Sequence, residues 1–299
     1  MVRNGKRVAE TFTTPCGGGA GCELPRPITI PPDHWFMMGD NVEPPTTAAS
    51  GAPCPPTRSS VQPSSATGPV AASAASDNRA RRRKAARKRT SGRRLFAFDR
   101  RLGYRWVAGA DEAGRGCLAG PLVAAGVLFD IESLTTRELR ALSCLNDSKQ
   151  HTHEVREELF PIVMRTAVKV CVVSRCARTI DARGLHKTNL AALRDALIAV
   201  GRPGCICLSD GFAVGDVGHE QRAIVEGDAT SAAIAAASIV AKVMRDRYMR
   251  RADELHPGWE FAAHVGYSTP EHRDAIQRIG VSPLHRLSFQ STAYQQLAL

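Results

Sequence analysis

The pattern of apolar and polar positions between residues 105 and 280 switches between two periods, one typical of strands and one of helices. Short apolar runs rich in β-branched and small residues predict buried strands at 105–110, 121–129, 168–174 and 205–210. Apolar residues three and four positions apart, with Pro and Gly at the ends, predict helices at 185–200, 229–255 and 270–279. Strands that alternate with helices favour an α/β domain, with helices packed on a mixed sheet.

Composition divides the chain into three zones. Residues 1–43 are mixed and interrupted by Gly and Pro, and we do not expect them to fold independently. Residues 44–94 are rich in Pro, Ser, Ala and Gly and end in a basic tract, so they predict a disordered linker that cannot bury enough apolar surface to fold. Residues 95–299 have the composition of a globular domain.

Charge and cysteine content narrow the class of protein. The formal net charge is +11, but residues 1–94 hold 15 Lys and Arg against 6 Asp and Glu, whereas residues 95–299 hold 25 against 23. The basic character therefore belongs to the N-terminal arm, which would bind nucleic acid non-specifically or simply be a solvated tail. No apolar run is long enough for a membrane span, no secretory signal is present, and the nine cysteines fit reduced thiols in a cytoplasmic protein.

Four acidic residues lie where predicted strands end or the long helix begins: Asp111, Glu112, Asp210 and Asp228. Neighbouring side chains on a strand point to opposite faces, so the first two can serve one site only if the strand ends or bulges there. Each acid also has a plain structural interpretation, as a strand-to-turn junction, a turn before glycine, or the N-cap of a helix.

Taken together, the four acids favour a metal site over those separate roles. Carboxylates without His or Cys suit Mg²⁺ or Mn²⁺. Two such ions can activate a water molecule and stabilise the leaving oxygen of a phosphodiester. A cluster of acids would repel a polyanion unless metal ions neutralised it, so we expect a metal-dependent reaction on a nucleic acid.

Six ordered segments resemble the type 2 ribonuclease H family, bacterial ribonuclease HII, over residues 104–292. They are WVAGADEAGRGCLAGPLVAAGVLF, LNDSKQ, LSDG, GDATSAAIAAASIVAKVMRDRYM, GYSTPEH and GVSPLHRLSF. The resemblance implies an RNase H-like fold, a mixed central sheet flanked by helices with a helical C-terminal portion. It also implies cleavage of RNA in RNA–DNA hybrids and incision on the 5′ side of ribonucleotides embedded in duplex DNA, leaving a 3′-hydroxyl and a 5′-phosphate.

The same resemblance assigns roles to individual residues. Two Mn²⁺ or Mg²⁺ ions would be held by Asp111, Glu112, Asp210 and Asp228. Substrate would be contacted by Gly114, Arg115, Gly116, Ser148, Lys149, Lys242 and Tyr267. In this set the GRG segment reads the 2′-hydroxyl, which distinguishes RNA from DNA, and the tyrosine packs on the following sugar.

Some positions depart from the family's pattern or leave alternatives open. Glu226 and Val265 stand where lysines are common, which would weaken affinity for nucleic acid. Lys242 and Arg245 are interpreted either as phosphate contacts or as ordinary surface charges of a helix. A monomer is expected. A catalytically weak nucleic-acid-binding module with the same fold is the alternative function, although none of the four acids is missing.

The first 41 residues carry a second resemblance. VRNGKRVAETF and PITIPPDHWFMMGDN, which ends at Asn41, resemble a C-terminal fragment of type I signal peptidase. The serine and lysine that run peptide cleavage in that family have no counterpart here, so we expect no peptidase activity. The abrupt change to PPTTAASGAP after this segment indicates a fused or misassigned start.

Overall fold

The computed structural model describes residues 92–289, and it also gives the backbone of three short strand segments, Val2–Arg3, Lys6–Arg7 and Trp35–Met37. The rest of the predicted arm and linker, including most of the segment that resembles signal peptidase, lies outside the described residues. Residues 92–101 already form a helix, so the described domain begins just before the boundary that composition predicts at residue 95.

One mixed sheet forms the centre of the domain. Its strands are β1 (Trp106–Ala113), β2 (Leu122–Asp130), β3 (Lys169–Arg175), β4 (Cys205–Asp210) and β5 (Glu220–Ile224). The spatial order is β3-β2-β1-β4-β5, and Trp35–Met37 lies parallel to β3 at the outer edge. β2 is antiparallel to both β1 and β3, whereas β1, β4 and β5 run parallel. The carboxyl ends of β1, β4 and β5 therefore meet at one edge.

Helices cover both faces of this sheet. They are α1 (92–101), α2 (Thr136–Ala141), α3 (His153–Thr166), α4 (Ala177–Arg183), α5 (Leu185–Val200), α6 (Ala232–Leu255), α7 (Phe261–His264) and α8 (Pro270–Ile279). Short 3₁₀ turns occupy Leu142–Cys144, Ser148–Gln150 and Gly227–Ala229. The α6 side and the α5 side of the sheet form separate apolar clusters. Among the described residues, no helix is both long and apolar enough to cross a bilayer.

Helix α6 is held unusually close to β1. Gly109 faces its first turn, and a methyl group at Gly109 would lie 2.2 Å from the carbonyl carbon of Ala233. The buried Asp99 of α1 accepts a hydrogen bond from the Ala233 N–H at 3.1 Å, and Ser231 caps the helix by accepting from Ile234 N. These contacts fix the start of α6, next to the turn that carries Asp228.

The structure confirms the α/β class and the predicted strands and helices, with shifts at their ends. β1 continues three residues past the predicted end at 110 because Asp111, Glu112 and Ala113 stay paired with β2. The long helix begins at Ala232, not at 229, since residues 227–229 form a separate 3₁₀ turn. The pattern gave no prediction for α3 or β5.

Candidate active site

The candidate site lies at the edge where β1 and β4 end. Ala110 of β1 pairs with Ser209 of β4 in parallel register, so Asp111 and Asp210 follow at matching positions. Both strands are buried on both faces, which places their acidic ends next to each other at the rim of the sheet.

Asp111 and Glu112 point to opposite faces of β1, because the strand neither ends nor bulges between them. Asp111 faces α6, where the Ser238 hydroxyl hydrogen-bonds its carboxylate. Glu112 faces α5, where the Asn189 amide stabilises its charged form. The Glu112 backbone N–H donates to Asp111 Oδ1 at 2.7 Å. The expected break in the strand is thus wrong, and the two acids reach the site from either side of the sheet edge.

Asp228 reaches the same edge from the 3₁₀ turn that precedes α6. The interpretation of Asp228 as the helix N-cap is wrong, since Ser231 occupies that position. Gly227 N–H donates to Asp210 Oδ1 at 2.7 Å and ties the turn to the end of β4. A methyl group at Gly227 would lie 3.0 Å from Asp210 Oδ1, so this close approach requires glycine.

Burial and neighbouring carboxylates raise the pKa of three of the acids, Asp111, Glu112 and Asp228. Burial raises the pKa of Asp111 well above its ordinary value, and the charges of Glu112 and Asp210 raise it further. Burial likewise raises the pKa of Glu112, although Arg115 opposes this. Burial raises the pKa of Asp228 to about 6, with further contributions from Asp147 and Asp210. The effect of Asp210 on three other carboxyls indicates a single electrostatic cluster.

Two residues of the NDSK segment adjoin this cluster. Lys149 is exposed, and although burial lowers its pKa, the charges of four carboxylates outweigh that effect and raise it. Ser148 is buried, and its hydroxyl lies 2.7 Å from the hydroxyl of Ser238, which also contacts Asp111. Lys149 therefore faces the acids, whereas Ser148 anchors its loop to α6.

The donor set fits divalent ions, but only after movement of the side chains. The carboxylates offer oxygen ligands, and Glu112 Oε2 is buried with no hydrogen-bond partner among the described residues. No three His, Cys, Asp or Glu side chains in the described part of the chain form a preformed ion site. Mutual repulsion holds carboxylates apart without counter-ions, so binding of cations would draw these side chains together.

The GRG segment forms an open rim beside the acids. Gly114 has φ +89°, which favours glycine, and a methyl group at Gly116 would meet nothing within 4 Å. Arg115 Nη1 lies 3.7 Å from Glu112 Oε1, and its guanidinium sits over the Phe212 ring at 5.0 Å. The side chain of Arg115 is thus held beside the carboxylates while remaining partly exposed.

Tyr267 lies beside Cys117, the residue that directly follows the GRG segment. Its ring is 41% exposed, so it is not a core aromatic, and Lys242 Nζ lies 5.4 Å from the ring centroid. Lys242 also pairs with Asp246 at 2.8 Å. The two interpretations of Arg245 as a phosphate contact or a surface charge are both wrong, because this side chain is fully buried.

Sequence reasoning missed three polar residues that shape the site: Asp147, Asn189 and Ser238. Asp147 was visible as an acid inside the quoted NDSK segment. Ser238 is a polar residue in the Ala-rich face of α6, spaced by seven from the Ser231 cap, and this spacing was a usable signal. Asn189 carries no comparable signal, because its role depends on the packing of α5 on β1.

We expect Gly116→Ala to weaken substrate binding without affecting the stability of the fold. The open space around Gly116 leaves the melting temperature unchanged. If a nucleotide approaches the backbone here, the added methyl group raises KM about tenfold, which corresponds to a loss of roughly 1.4 kcal/mol of binding. Steady-state kinetics and thermal unfolding of the same preparation check this. An unchanged KM would place the substrate elsewhere.

Comparison with known proteins identifies the family. The family described as Ribonuclease HII matches residues 108–292. The chain is 45% identical over 190 residues to the ribonuclease HII of Mycobacteroides abscessus, which covers 63% of this chain and 79% of that protein.

Two solved structures share the fold. Ribonuclease H2 from Pyrococcus horikoshii has a TM-score of 0.55 and 24% identity, covering 64% of this chain and 98% of that one. Bst-RNase HIII in complex with Mn²⁺ has a TM-score of 0.50 and 21% identity, covering 67% and 72%. The chain belongs to the ribonuclease HII family and is a ribonuclease H endonuclease that acts on RNA–DNA hybrids.

Proposed function

We propose that the chain incises duplex DNA on the 5′ side of single embedded ribonucleotides, in addition to cleaving RNA–DNA hybrids, with two divalent ions at the four carboxylates. The observation that carries this proposal is the convergence of three segments, β1, β4 and the 227–229 turn, on one electrostatic cluster. Bst-RNase HIII, which shares the fold, binds Mn²⁺, and this supports Mn²⁺ or Mg²⁺ as the ions.

Asp111, Glu112, Asp210 and Asp228 would hold the ions. Divalent ions held there would supply activation of a water nucleophile and stabilisation of the leaving 3′-oxygen, which would give a 3′-hydroxyl and a 5′-phosphate. The chain's own contribution is to orient these carboxylates and to offset part of their mutual repulsion. Lys149 favours the charged forms by its field, and Gly227 N–H fixes one oxygen of Asp210.

The ribonucleotide would be recognised by the rim, which consists of the GRG segment and the neighbouring Tyr267. The open backbone at Gly116 would admit the sugar closely, and the left-handed turn at Gly114 directs this segment towards it. Arg115 lies beside Glu112, where the 2′-hydroxyl would sit. Tyr267 offers an exposed ring to the next sugar, and Lys242 beside it supplies positive charge for a phosphate. Ser148 supports the loop that presents Lys149.

All four acids come from one chain, so the proposed site is complete in a monomer. The alternative, a binding module without catalysis, would need a disabled acid cluster, and every acid is present and placed at the same edge. The test described next separates these two functions.

The decisive assay uses the full chain and a labelled DNA duplex that contains one ribonucleotide. We expect a nick on its 5′ side with Mn²⁺ or Mg²⁺, no cleavage of the matching all-DNA duplex, and ends that a polymerase can extend. Cleavage of a long RNA–DNA hybrid without incision of the single-ribonucleotide duplex would contradict the proposed substrate. Binding of both without any cleavage would favour the binding module.

The raised pKa values predict that metal binding weakens in mild acid. Asp228 has a pKa of about 6 in the absence of metal, so protons compete with Mn²⁺ increasingly as the pH falls through 6. We expect the apparent Kd for Mn²⁺ to rise by about tenfold or more per pH unit below that point, since at least one proton is displaced. Calorimetric titrations between pH 5 and 8.5 check this. A flat Kd across the range would be inconsistent with carboxylates of raised pKa as ligands.

A further inference from the structure

Arg245 hydrogen-bonds two loops of the proposed binding rim, the segment after GRG and the turn before Tyr267. Its side chain projects from the middle of α6 and is fully buried. Nε donates to the Pro121 carbonyl at 2.9 Å and Nη2 to that of Ala119 at 3.0 Å, both in the segment after GRG. Nη1 donates to the Val265 carbonyl at 2.8 Å, directly before the Gly266–Tyr267 turn. One guanidinium therefore holds both loops at once.

Three glycines in the left-handed region surround this guanidinium. Added methyl groups at Gly114, Gly120 and Gly266 would lie 1.9 Å from Nε, 3.2 Å from Nη2 and 3.3 Å from Nη2 respectively. Their φ angles are +89°, +88° and +82°. The glycine that opens the GRG segment and the glycine before Tyr267 thus both leave room for Arg245.

The buried charge of Arg245 is satisfied by carbonyls and not by a carboxylate. None of the ion pairs found among residues 92–289 involves it. A buried cation without an ionic partner is costly, and its retention in a core needs compensating hydrogen bonds of good geometry. Planar guanidinium donors reach three carbonyls in fixed directions, which the single nitrogen of a lysine cannot match.

Further hydrogen bonds make the two loops one unit. Leu118 N and Ala119 N both donate to the Gly266 carbonyl, at 2.9 and 3.3 Å. Arg286, from the segment after α8, donates to the Arg115 carbonyl at 3.0 Å and to the Gly120 carbonyl at 2.9 Å. The position of Arg115 relative to Tyr267 is therefore set by buried arginines.

We propose that Arg245 is a positioning residue for ribose recognition, which fixes the distance between the GRG backbone and the Tyr267 ring. The inference rests on the proposed role of these two loops in reading the ribonucleotide sugar and the sugar that follows it. It goes further by assigning the specificity of the rim to a side chain that touches no substrate. Its loss loosens the two loops against each other, and it leaves the metal-binding acids in place.

The test compares Arg245→Lys and Arg245→Gln with Arg247→Lys in the full chain. Arg247 lies on the same helix and pairs with Glu157 of α3, away from the rim. Substrates are an RNA–DNA hybrid and a single-ribonucleotide duplex, with an all-DNA duplex for binding. We expect kcat/KM on ribose-containing substrates to fall about 100-fold in both Arg245 variants, because a displacement of about 1 Å can cost that much. Affinity for all-DNA duplex and for Mn²⁺ stays within about twofold, as does every property of Arg247→Lys.

A double-mutant cycle with Tyr267→Ala distinguishes positioning from general support of the fold. If Arg245 acts through the loops, Arg245→Lys costs much less in the Tyr267→Ala background than alone. Independent, multiplicative losses would overturn the proposal, as would equal losses of DNA binding and cleavage, wild-type kinetics, or failure of both variants to fold. Loss of hybrid cleavage in the variants, with no incision of single ribonucleotides by the parent chain, would keep this inference and reject the proposed substrate.

Discussion

Asp111→Asn is expected to lower the rate of hybrid cleavage by at least about 10³-fold and yet to raise the melting temperature of the metal-free protein at pH 8. The rate falls because the amide cannot replace a carboxylate as an anionic ligand for a divalent ion. Ser238 and the Glu112 N–H still have an oxygen to donate to, so the fold is retained.

The sign of the stability change follows from the raised pKa of Asp111. A carboxyl whose pKa is higher in the folded than in the unfolded state stabilises the protein fully only at low pH, and this stability is lost as the pH rises through the folded pKa. At pH 8 the buried charge is therefore unfavourable, and a neutral amide removes that cost. We expect the gain in melting temperature to shrink towards pH 5.

Asp130→Asn is the matched control. Asp130 lies on the neighbouring strand, where Arg105 hydrogen-bonds it and lowers its pKa. Its contribution has the opposite sign, since it is present at neutral pH and lost in acid. We expect this variant to keep full activity and to melt at a lower temperature at pH 8. Thermal unfolding and hybrid cleavage, measured on both variants, test the pair. If the Asp111→Asn variant retained activity, Asp111 would not be required for the reaction.

Gly109→Ala is expected to lower the free energy of unfolding strongly. A methyl group at this position would lie 2.2 to 2.6 Å from three backbone atoms of Ala233 and Ile234, and no side-chain rotation relieves a clash with backbone. The first turn of α6 would have to move away from β1, at a cost of about 3 kcal/mol. For a domain of this size, that corresponds to a drop of roughly 10 °C in melting temperature.

Displacement of α6 in Gly109→Ala is also expected to weaken metal binding. Asp228 precedes α6 and Ser238 lies within it, so Mn²⁺ affinity is expected to fall together with stability. Gly116→Ala, whose methyl group meets open space, is the control for adding a methyl group to a glycine in this region. If Gly109→Ala had the parent's melting temperature, the first turn of α6 could not lie against Gly109 of β1.

The sequence predicted the framework of the site because its elements carry clear periodic patterns. β1, β2 and β4 are apolar until close to their carboxyl ends, as expected for strands covered on both faces, and α6 shows a helical repeat of small and apolar residues. The prediction of the four acids and the rim residues as site residues came from the family resemblance. Periodicity alone did not decide whether Asp111 and Glu112 serve the same site, because that depends on where β1 ends.

Elements without such a pattern were not predictable. β5 reads EQRAI and lies at a sheet edge where most side chains are exposed, so it has no apolar alternation. α3 contains Pro161 and buries only three residues, so it lacks a clear apolar stripe and carries a residue that is unfavourable inside a helix. Arg245 was misread because charged residues on a helix are usually exposed, and its carbonyl partners come from segments 20 and more than 120 residues away in the sequence.

The most direct test of the proposed two-ion site is the number of Mn²⁺ ions bound by the full chain. A calorimetric titration at pH 8, in the presence of the nicked product duplex, would count them for the parent protein and for Asp111→Asn. The account predicts two ions per parent chain and fewer in the variant, with duplex binding retained in both. An equal count in the two proteins, or no binding in the parent, would contradict the assignment of Asp111, Glu112, Asp210 and Asp228 as the metal ligands.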